Sequence, residues 1–464
     1  MDRRRVFKSG WIILLVLVVA ACGPAAQPVP PTQGGDGTAS PAPITAVAAT
    51  TPPVAAMPSP AAQAPTATPL PAATRPPEPL ATATSTVTSQ PLPPTPAPTA
   101  TRQTRQAGSA VPTPAVTSAA AELSPRIETF ISGLDTPWAL DFAADGRIFI
   151  SERPGRIRVV ADGKLLPEPW IVLPVREVGE AGLLGLALDQ DFLRNRFVYA
   201  AYTYSTATGL RNRLVRLRED PTTGKGVLDA ILFDDVLGNT THDGGRVKIG
   251  PDGKLYWTMG DAQDTAAAQD LASPVGKILR LNRDGTMPDD NPFPGSPVYS
   301  YGHRNVQGLA WQPGTGRLYA TEHGPSGGQG CCRDEVNLIE PGKNYGWPVI
   351  TGDQTRPGMV SPVIHSGTSE TWAPAGATFV TAGPWQGSLL FTGLRGQTLY
   401  RLTLDPDDPA RAIGLERLFV GQFGRLRDVV EGPDGALYIL TSNGDGRGVL
   451  PADGDRVLRL TFGR

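Results

Sequence analysis

Cysteine is almost missing from this chain: 464 residues hold three, Cys22, Cys331 and Cys332. Adjacent Cys331 and Cys332 lack the ligand spacing of a zinc site. They leave two readings open, a vicinal disulfide or a pair of free thiols. An excess of one charge is missing too, with 42 Lys and Arg against 44 Asp and Glu. No basic run interleaves with aromatics, which argues against a nucleic-acid partner. No apolar 3.6-residue period persists long enough for a substantial helix, while glycine and proline punctuate the chain throughout, so the folded part reads as all-β. The apolar run Trp11 to Ala21 falls short of the about 20 residues that a spanning helix needs.

That run is informative in another way. It follows the basic Arg3, Arg4, Arg5 and Lys8 and ends in Val19-Ala20-Ala21-Cys22-Gly23. A positive n-region, an apolar core and small residues before the cleavage point describe a secretory signal. The cysteine at that point resembles a bacterial lipobox. Residues 1–21 are therefore expected to be a lipoprotein signal peptide, with Cys22 carrying the lipid, as opposed to a plain signal followed by an incidental cysteine. From 22 to 122 the composition changes to Pro, Ala and Thr, with few charges and few large apolar residues. Such a chain cannot bury enough surface to offset its ordering entropy. It is expected to be a disordered tether, spanning roughly 60 Å as a coil and up to about 300 Å fully extended. The reading is of an extracytoplasmic protein held to the membrane by a lipid anchor only.

Residues 123–464 carry a recurring unit, a turn followed by a short apolar-aromatic strand. Its copies begin at Asp145, Asn195, Asp252, Thr315, Gln386 and Asp434. The intervals of roughly 50 to 70 residues each suit one four-stranded blade. Six copies predict a six-bladed β-propeller; two β-sandwiches would not explain one motif recurring across the whole region. The segments directly after these strands include Ser151-Glu152-Arg153, Thr258-Met259-Gly260-Asp261, Thr321-Glu322-His323-Gly324 and Thr392-Gly393-Leu394-Arg395. Equivalent strand ends emerge on one face of a propeller, so these groups are expected to converge.

Four histidines are present, His242, His303, His323 and His365, three of them in glycine-rich connecting stretches. Arg304, Arg395, Arg425 and Arg427 add guanidiniums suited to a polycarboxylate ligand. On spacing alone, Arg425 and Arg427 read equally well as edge-strand cations paired with Asp428 or Glu431.

Several motifs occur in order: Glu152-Arg153-Pro154-Gly155-Arg156, Glu180-Ala181-Gly182-Leu183-Leu184-Gly185, His242-Asp243-Gly244-Gly245-Arg246, Gly302-His303-Arg304-Asn305, His323-Gly324-Pro325, Asn344-Tyr345-Gly346-Trp347-Pro348 and Arg425-Leu426-Arg427-Asp428. Together they resemble the pyrroloquinoline quinone (PQQ) dependent aldose sugar dehydrogenases, relatives of soluble glucose dehydrogenase, over essentially all of 126–464. The resemblance implies a PQQ- and Ca²⁺-dependent enzyme that oxidises an aldose to its lactone and passes electrons to an external quinone, dye or cytochrome. It implies that His242 is the general base at the anomeric hydroxyl, Asp261 its orienting acid, and Arg304 the stabiliser of charge on the quinone oxygen. Glu180 stands at a substrate-contacting place where the soluble glucose enzyme has glutamine. Asn305, Arg425 and Arg427 would contact the cofactor. Arg395 stands beside Leu394, which replaces the family's lysine. Trp372 would cover the planar ring, ordinary interblade packing being its other reading. The carbonyls of Gly324 and Pro325 would hold the Ca²⁺ shared with PQQ, and Glu335 and Tyr345 a second Ca²⁺, to which Asp353 is a candidate addition. A non-catalytic binding propeller and a calcium-dependent lactonase are the competing readings.

Overall fold

A computed structural model describes residues 124–326 and 330–463. The expected signal peptide, Cys22 and the expected tether lie outside the described residues. Among the described residues no helix is long and apolar enough to cross a membrane.

The strands form six antiparallel sheets, the six-bladed propeller expected. Blade 1 begins with Pro137–Phe142, Ile148–Glu152 and Arg156–Ala161; blade 2 runs from Leu183–Leu188 through Phe197–Thr206 and Gly209–Glu219 to Gly226–Leu237. Blade 3 holds Val247–Ile249, Leu255–Met259, Lys277–Leu281 and Val298–Tyr301. Blade 4 holds Val306–Trp311, Leu318–Glu322, Glu335–Ile339 and Ile364–His365. Blade 5 holds Pro374–Phe379, Leu389–Gly393, Thr398–Leu404 and Ala412–Leu418. Blade 6 takes Leu426–Glu431, Leu437–Thr441 and Asp455–Phe462 from the C-terminus and its outer strand, Pro125–Leu134, from the start of the domain. Pro125 pairs with Phe462 and Leu134 with Asp455. This exchange clasps the ring, and the first strands of blades 6 and 1 touch.

All six repeat copies are the second strands of the blades. Each reads as an almost unbroken apolar run because both of its faces are covered by neighbouring blades, and successive side chains point to opposite faces. In Leu255–Met259, Leu255 and Trp257 pack toward blade 2 while Tyr256 packs toward blade 4. In Leu437–Thr441, Ile439 packs toward blade 5 and Leu440 toward blade 1. The core is thus six clusters, one per junction.

A four-stranded meander leaves the starts of strands one and three and the ends of strands two and four on one face. The blade-to-blade connections and the turns after the second strands therefore share that face, and there the site is found.

Candidate active site

A cavity of about 940 Å³ opens among these connections. His242 enters from the link between blades 2 and 3, Arg304 from the link between blades 3 and 4, and Arg425 and Arg427 from the start of blade 6. Turns after second strands supply His323-Gly324-Pro325, Leu394-Arg395 and Arg447. Glu180 completes the wall from the link between blades 1 and 2. Convergence fails for blade 1, whose Glu152 and Arg153 do not line the cavity. Glu152 is consumed within its own blade, accepting from the Asp135 N–H at 2.9 Å and from Arg156 Nε at 2.6 Å.

His242 sits in the left-handed region at φ 62°, as do Gln263 at 67° and Ala373 at 46°, all three on the cavity wall. Each such non-glycine residue costs on the order of 1–3 kcal/mol and persists only where its surroundings dictate it. For His242 they do. Its N–H donates to Glu180 Oε2 at 3.2 Å and its carbonyl accepts from the Ala262 N–H at 3.1 Å. Gly260 packs beneath that carbonyl, where an added Cβ would stand 1.9 Å from the oxygen.

His242 Nδ1 lies 2.8 Å from Asp261 Oδ1. That oxygen also accepts the Gln263 N–H at 2.8 Å, and Oδ2 accepts Trp347 Nε1 at 2.8 Å. A fully buried, thrice-bonded carboxylate acting as acceptor assigns the ring proton to Nδ1. Nε2 is left with its lone pair, the form a general base requires.

Glu180 is the other carboxylate at the ring. Burial opposes its ionisation, but the neighbouring His323 ring and the Arg447 guanidinium outweigh it and hold the carboxyl at about 2. Arg447 Nη1 donates to Glu180 Oε1 at 2.8 Å. Burial pushes His323 down to about 3 against the pull of Glu180, with Arg304 and Arg427 reinforcing the shift. Near neutral pH His323 is an uncharged imidazole.

Arg425 and Arg427 are not edge-strand cations paired with Asp428 or Glu431. Arg425 Nε donates to Asp445 Oδ2 at 2.8 Å, and Arg427 Nη1 donates to Gln307 Oε1 at 2.7 Å. Asp428 binds Arg246 Nη1 at 2.8 Å, with both side chains buried. Burial holds the Arg427 guanidinium well below its ordinary range; Asp445 opposes the shift and the nearby Arg425 and Arg153 add to it. Guanidiniums of Arg304, Arg395, Arg425, Arg427 and Arg447 line the cavity against the carboxylates of Glu180 and Asp334. The wall is cationic. Among the described residues, the buried Arg427 Nε and His323 Nε2, on the wall, have no hydrogen-bond partner. Unpaired polar atoms beside surplus positive charge suit an anionic, polar ligand.

Arg304 Nη1 donates to the His323 carbonyl at 3.3 Å and Nη2 to Ser326 Oγ at 3.1 Å, with the guanidinium over the Trp347 ring. Asn305 stands behind the wall and accepts the Gly244 N–H at 3.0 Å. Trp372 also lies outside the cavity. Its ring packs against Phe391 and Tyr400 between blades 4 and 5, and only its neighbours Thr371 and Ala373 reach the wall. His303 is satisfied internally, by Ser300 Oγ at 2.9 Å and Glu322 Oε2 at 2.8 Å.

Gly324 and Pro325 line the cavity, and their carbonyls are the candidate oxygen donors for a hard cation. Glu335 and Tyr345 line a separate, smaller space with His323 and Trp347. Burial, with Glu322 close by, pushes the Glu335 carboxyl up to about 8. The Tyr345 hydroxyl donates to the Leu338 carbonyl at 2.6 Å. Asp353 borders neither space and pairs with His365 Nε2 at 2.8 Å on the surface. Among the described residues no three acidic, histidine or cysteine side chains gather into a metal cluster, so any cation here relies largely on backbone oxygens.

The Glucose / Sorbosone dehydrogenase family model matches residues 134–451. The chain belongs to that family. Among curated proteins the chain is similar to the aldose sugar dehydrogenase YliI of Escherichia coli, 32% identical over 74% of this chain and 97% of the relative. Quinoprotein glucose dehydrogenase B of Acinetobacter calcoaceticus is 29% identical over 68% of this chain and 84% of its own length. The PQQ-bound aldose sugar dehydrogenase of Streptomyces coelicolor superposes with a TM-score of 0.64 at 38% identity, over 74% of this chain and 99% of that one. Family membership makes this protein an oxidoreductase of the sugar dehydrogenase kind.

Asp445, Arg447 and Asp334 escaped the sequence reading. The rule that found His323 and Arg395 applies equally to Ser442-Asn443-Gly444-Asp445-Gly446-Arg447, directly after the sixth repeat strand. That signal was available.

Proposed function

We propose that this chain oxidises an aldose at its anomeric carbon to the lactone, with PQQ and Ca²⁺ as cofactors, and delivers the electrons to an external acceptor. The observation that carries the reading is the His242–Asp261 pair at 2.8 Å, opening into an arginine-lined cavity. Bound PQQ would supply the two-electron acceptor for the C1 hydride, and Ca²⁺ a Lewis acid beside it.

The chain's own residues would do the rest. His242 Nε2 removes the proton of the anomeric hydroxyl, a task suited to an imidazole because its unperturbed pKa lies near neutrality. Asp261 holds the ring in the proton-accepting tautomer, and Trp347 and the Gln263 N–H hold Asp261. Arg395, Arg425 and Arg427 bind carboxylates at the cavity wall, while Arg304 stabilises negative charge developing deeper in. The oxygen donors of Gly324 and Pro325 hold the cation. Glu180, anchored by Arg447, fixes the His242 backbone and borders the sugar's place. Export, lipidation at Cys22, the 22–122 tether and the catalytic 123–464 domain complete the proposal, supported by the signal-like N-terminus. Loss of lipid labelling in Cys22→Ala would test the anchor.

The deciding experiment titrates the purified full chain with PQQ in Ca²⁺ and follows sugar-dependent dye reduction beside His242→Ala. Saturation near one PQQ per chain, with turnover lost in the variant, is expected. A chain that binds no PQQ overturns the reading and leaves a non-catalytic binding propeller.

A further inference from the structure

One part of the cavity wall has no task in that reaction. Cys331 and Cys332 are joined by a disulfide. Cys331 is exposed and lines the cavity, whereas Cys332 is buried. The Thr371 hydroxyl, also on the wall, donates to Cys332 Sγ at 3.0 Å and lies 3.7 Å from Cys331 Sγ. The backbone here abuts Gly324, where an added Cβ would stand 1.9 Å from the Cys332 carbonyl oxygen. Asp334 accepts the Gly324 N–H through one carboxylate oxygen, at 2.9 Å. Through the other it accepts the N–H groups of Trp372 and Ala373, at 2.7 and 2.9 Å. The disulfide thus stands where two stretches of wall meet.

It cannot be a staple of global stability. A cross-link stabilises mainly by removing loop entropy from the unfolded chain, and that entropy grows with the residues enclosed. A bond between neighbours encloses none. Its effect is local: it sets the shape of the wall and presents one sulfur to the ligand space.

We infer that the Cys331–Cys332 disulfide is a ligand-contacting wall of the cofactor cavity, needed in its oxidised form for tight retention of the quinone and shielded from reductant while the quinone is bound. The inference rests on the function proposed above. Dithiothreitol breaks the S–S bond by delivering two electrons and two protons, leaving two thiols and its own cyclic disulfide. The attacking thiolate must reach a sulfur, and only Cys331 faces open space, so an occupant against that wall blocks the approach. By linkage, an occupant that prefers the oxidised wall resists its reduction by the factor by which reduction weakens binding.

The test incubates the full chain, in Ca²⁺, with dithiothreitol in the presence and absence of saturating PQQ in its quinol form, which the dithiol cannot reduce further. Thiols at Cys331 and Cys332 are alkylated and counted by peptide mass spectrometry. In parallel, PQQ affinity is measured by equilibrium dialysis on Cys331→Ser/Cys332→Ser, which has no thiol in the cavity to react with the quinone. We expect reduction to slow with saturating ligand, because the attacked sulfur is covered, and affinity to fall about tenfold in the double variant, a factor typical of coupled sites. The thermal midpoint of the double variant should stay close to that of the parent. Equal reduction rates with and without saturating ligand, or unchanged affinity in the folded double variant, overturns the inference. If the double variant does not fold, the protection measurement on the parent chain decides alone. An oxidised parent chain that binds no PQQ overturns the proposed function itself.

Discussion

Arg447 and Glu180 meet at the cavity wall, Nη1 to Oε1 at 2.8 Å, although 267 residues separate them. One comes from blade 6 and the other from the link between blades 1 and 2, so their ion pair spans the junction where the ring closes. The second oxygen of Glu180 takes the His242 N–H. A single carboxylate therefore couples ring closure to the position of the proposed base.

Arg447→Met should move the acid limb of activity upward. With the guanidinium gone, burial is less opposed and the Glu180 carboxyl climbs from about 2 toward or past its ordinary 4.5. Protonated Glu180 then holds the His242 N–H less well, and kcat/KM falls as the pH drops. Profiles between about pH 4 and 8 for the parent, Arg447→Met and Glu180→Gln make the comparison. An additional fall of kcat/KM toward about pH 4 should appear in the first variant and be absent from the second, where no carboxyl remains to titrate.

Asp261→Asn should lower kcat by about 10²–10⁴-fold, the range expected when general base catalysis is lost. An asparagine N–H can donate to Nδ1, which drives the ring proton to Nε2 and occupies the atom meant to accept it. PQQ affinity should stay near that of the parent, because Asp261 is buried behind the ring. A kcat within twofold of the parent value would refute the assigned role.

Glu335 predicts a pH dependence of stability without added Ca²⁺. Its carboxyl stands at about 8 in the fold and at 4.5 ordinarily, so the folded state binds the extra proton between those values. The stabilisation is complete below about pH 4.5 and is lost as the pH rises through 8. Urea midpoints across this window should fall more steeply for the parent than for Glu335→Gln.

Asp428→Ala should cost about 3–5 kcal/mol of stability, because it strands a buried guanidinium. Arg246 gives Nη1 to Asp428 at 2.8 Å and Nε to the Gln307 carbonyl at 2.8 Å, and lies over Trp138. Denaturant unfolding measures the loss. Replacing both residues with apolar side chains of similar volume should recover part of it.

The propeller was legible because its repeat is a physical necessity. A second strand buried on both faces must be apolar throughout, and six such strands are hard to miss. The one-face rule found His323 and Arg395 for the same reason. It failed for Glu152, since position along a strand does not reveal which acceptors Arg156 and the Asp135 N–H will claim. Trp372 shows a similar limit: its indole belongs to the interblade core while its two neighbours reach the cavity. Spacing could not separate Arg425 and Arg427 from edge-strand cations, because their partners Asp445 and Gln307 are distant in sequence. Asp353 stands close in sequence to Tyr345, yet its side chain turns to His365 at the surface.

The clasp between Pro125–Leu134 and Asp455–Phe462 has a mechanical consequence. The strand that completes blade 6 is also the strand by which the preceding chain enters the domain. Tension on that chain is delivered first to the hydrogen-bond ladder of the clasp, and only through it to the ring that carries Arg447 and Glu180. A pull strong enough to peel this strand, from Pro125 on the face opposite the cavity toward Leu134, would open the propeller at its seam, so resistance to force and integrity of the cavity wall depend on the same ladder.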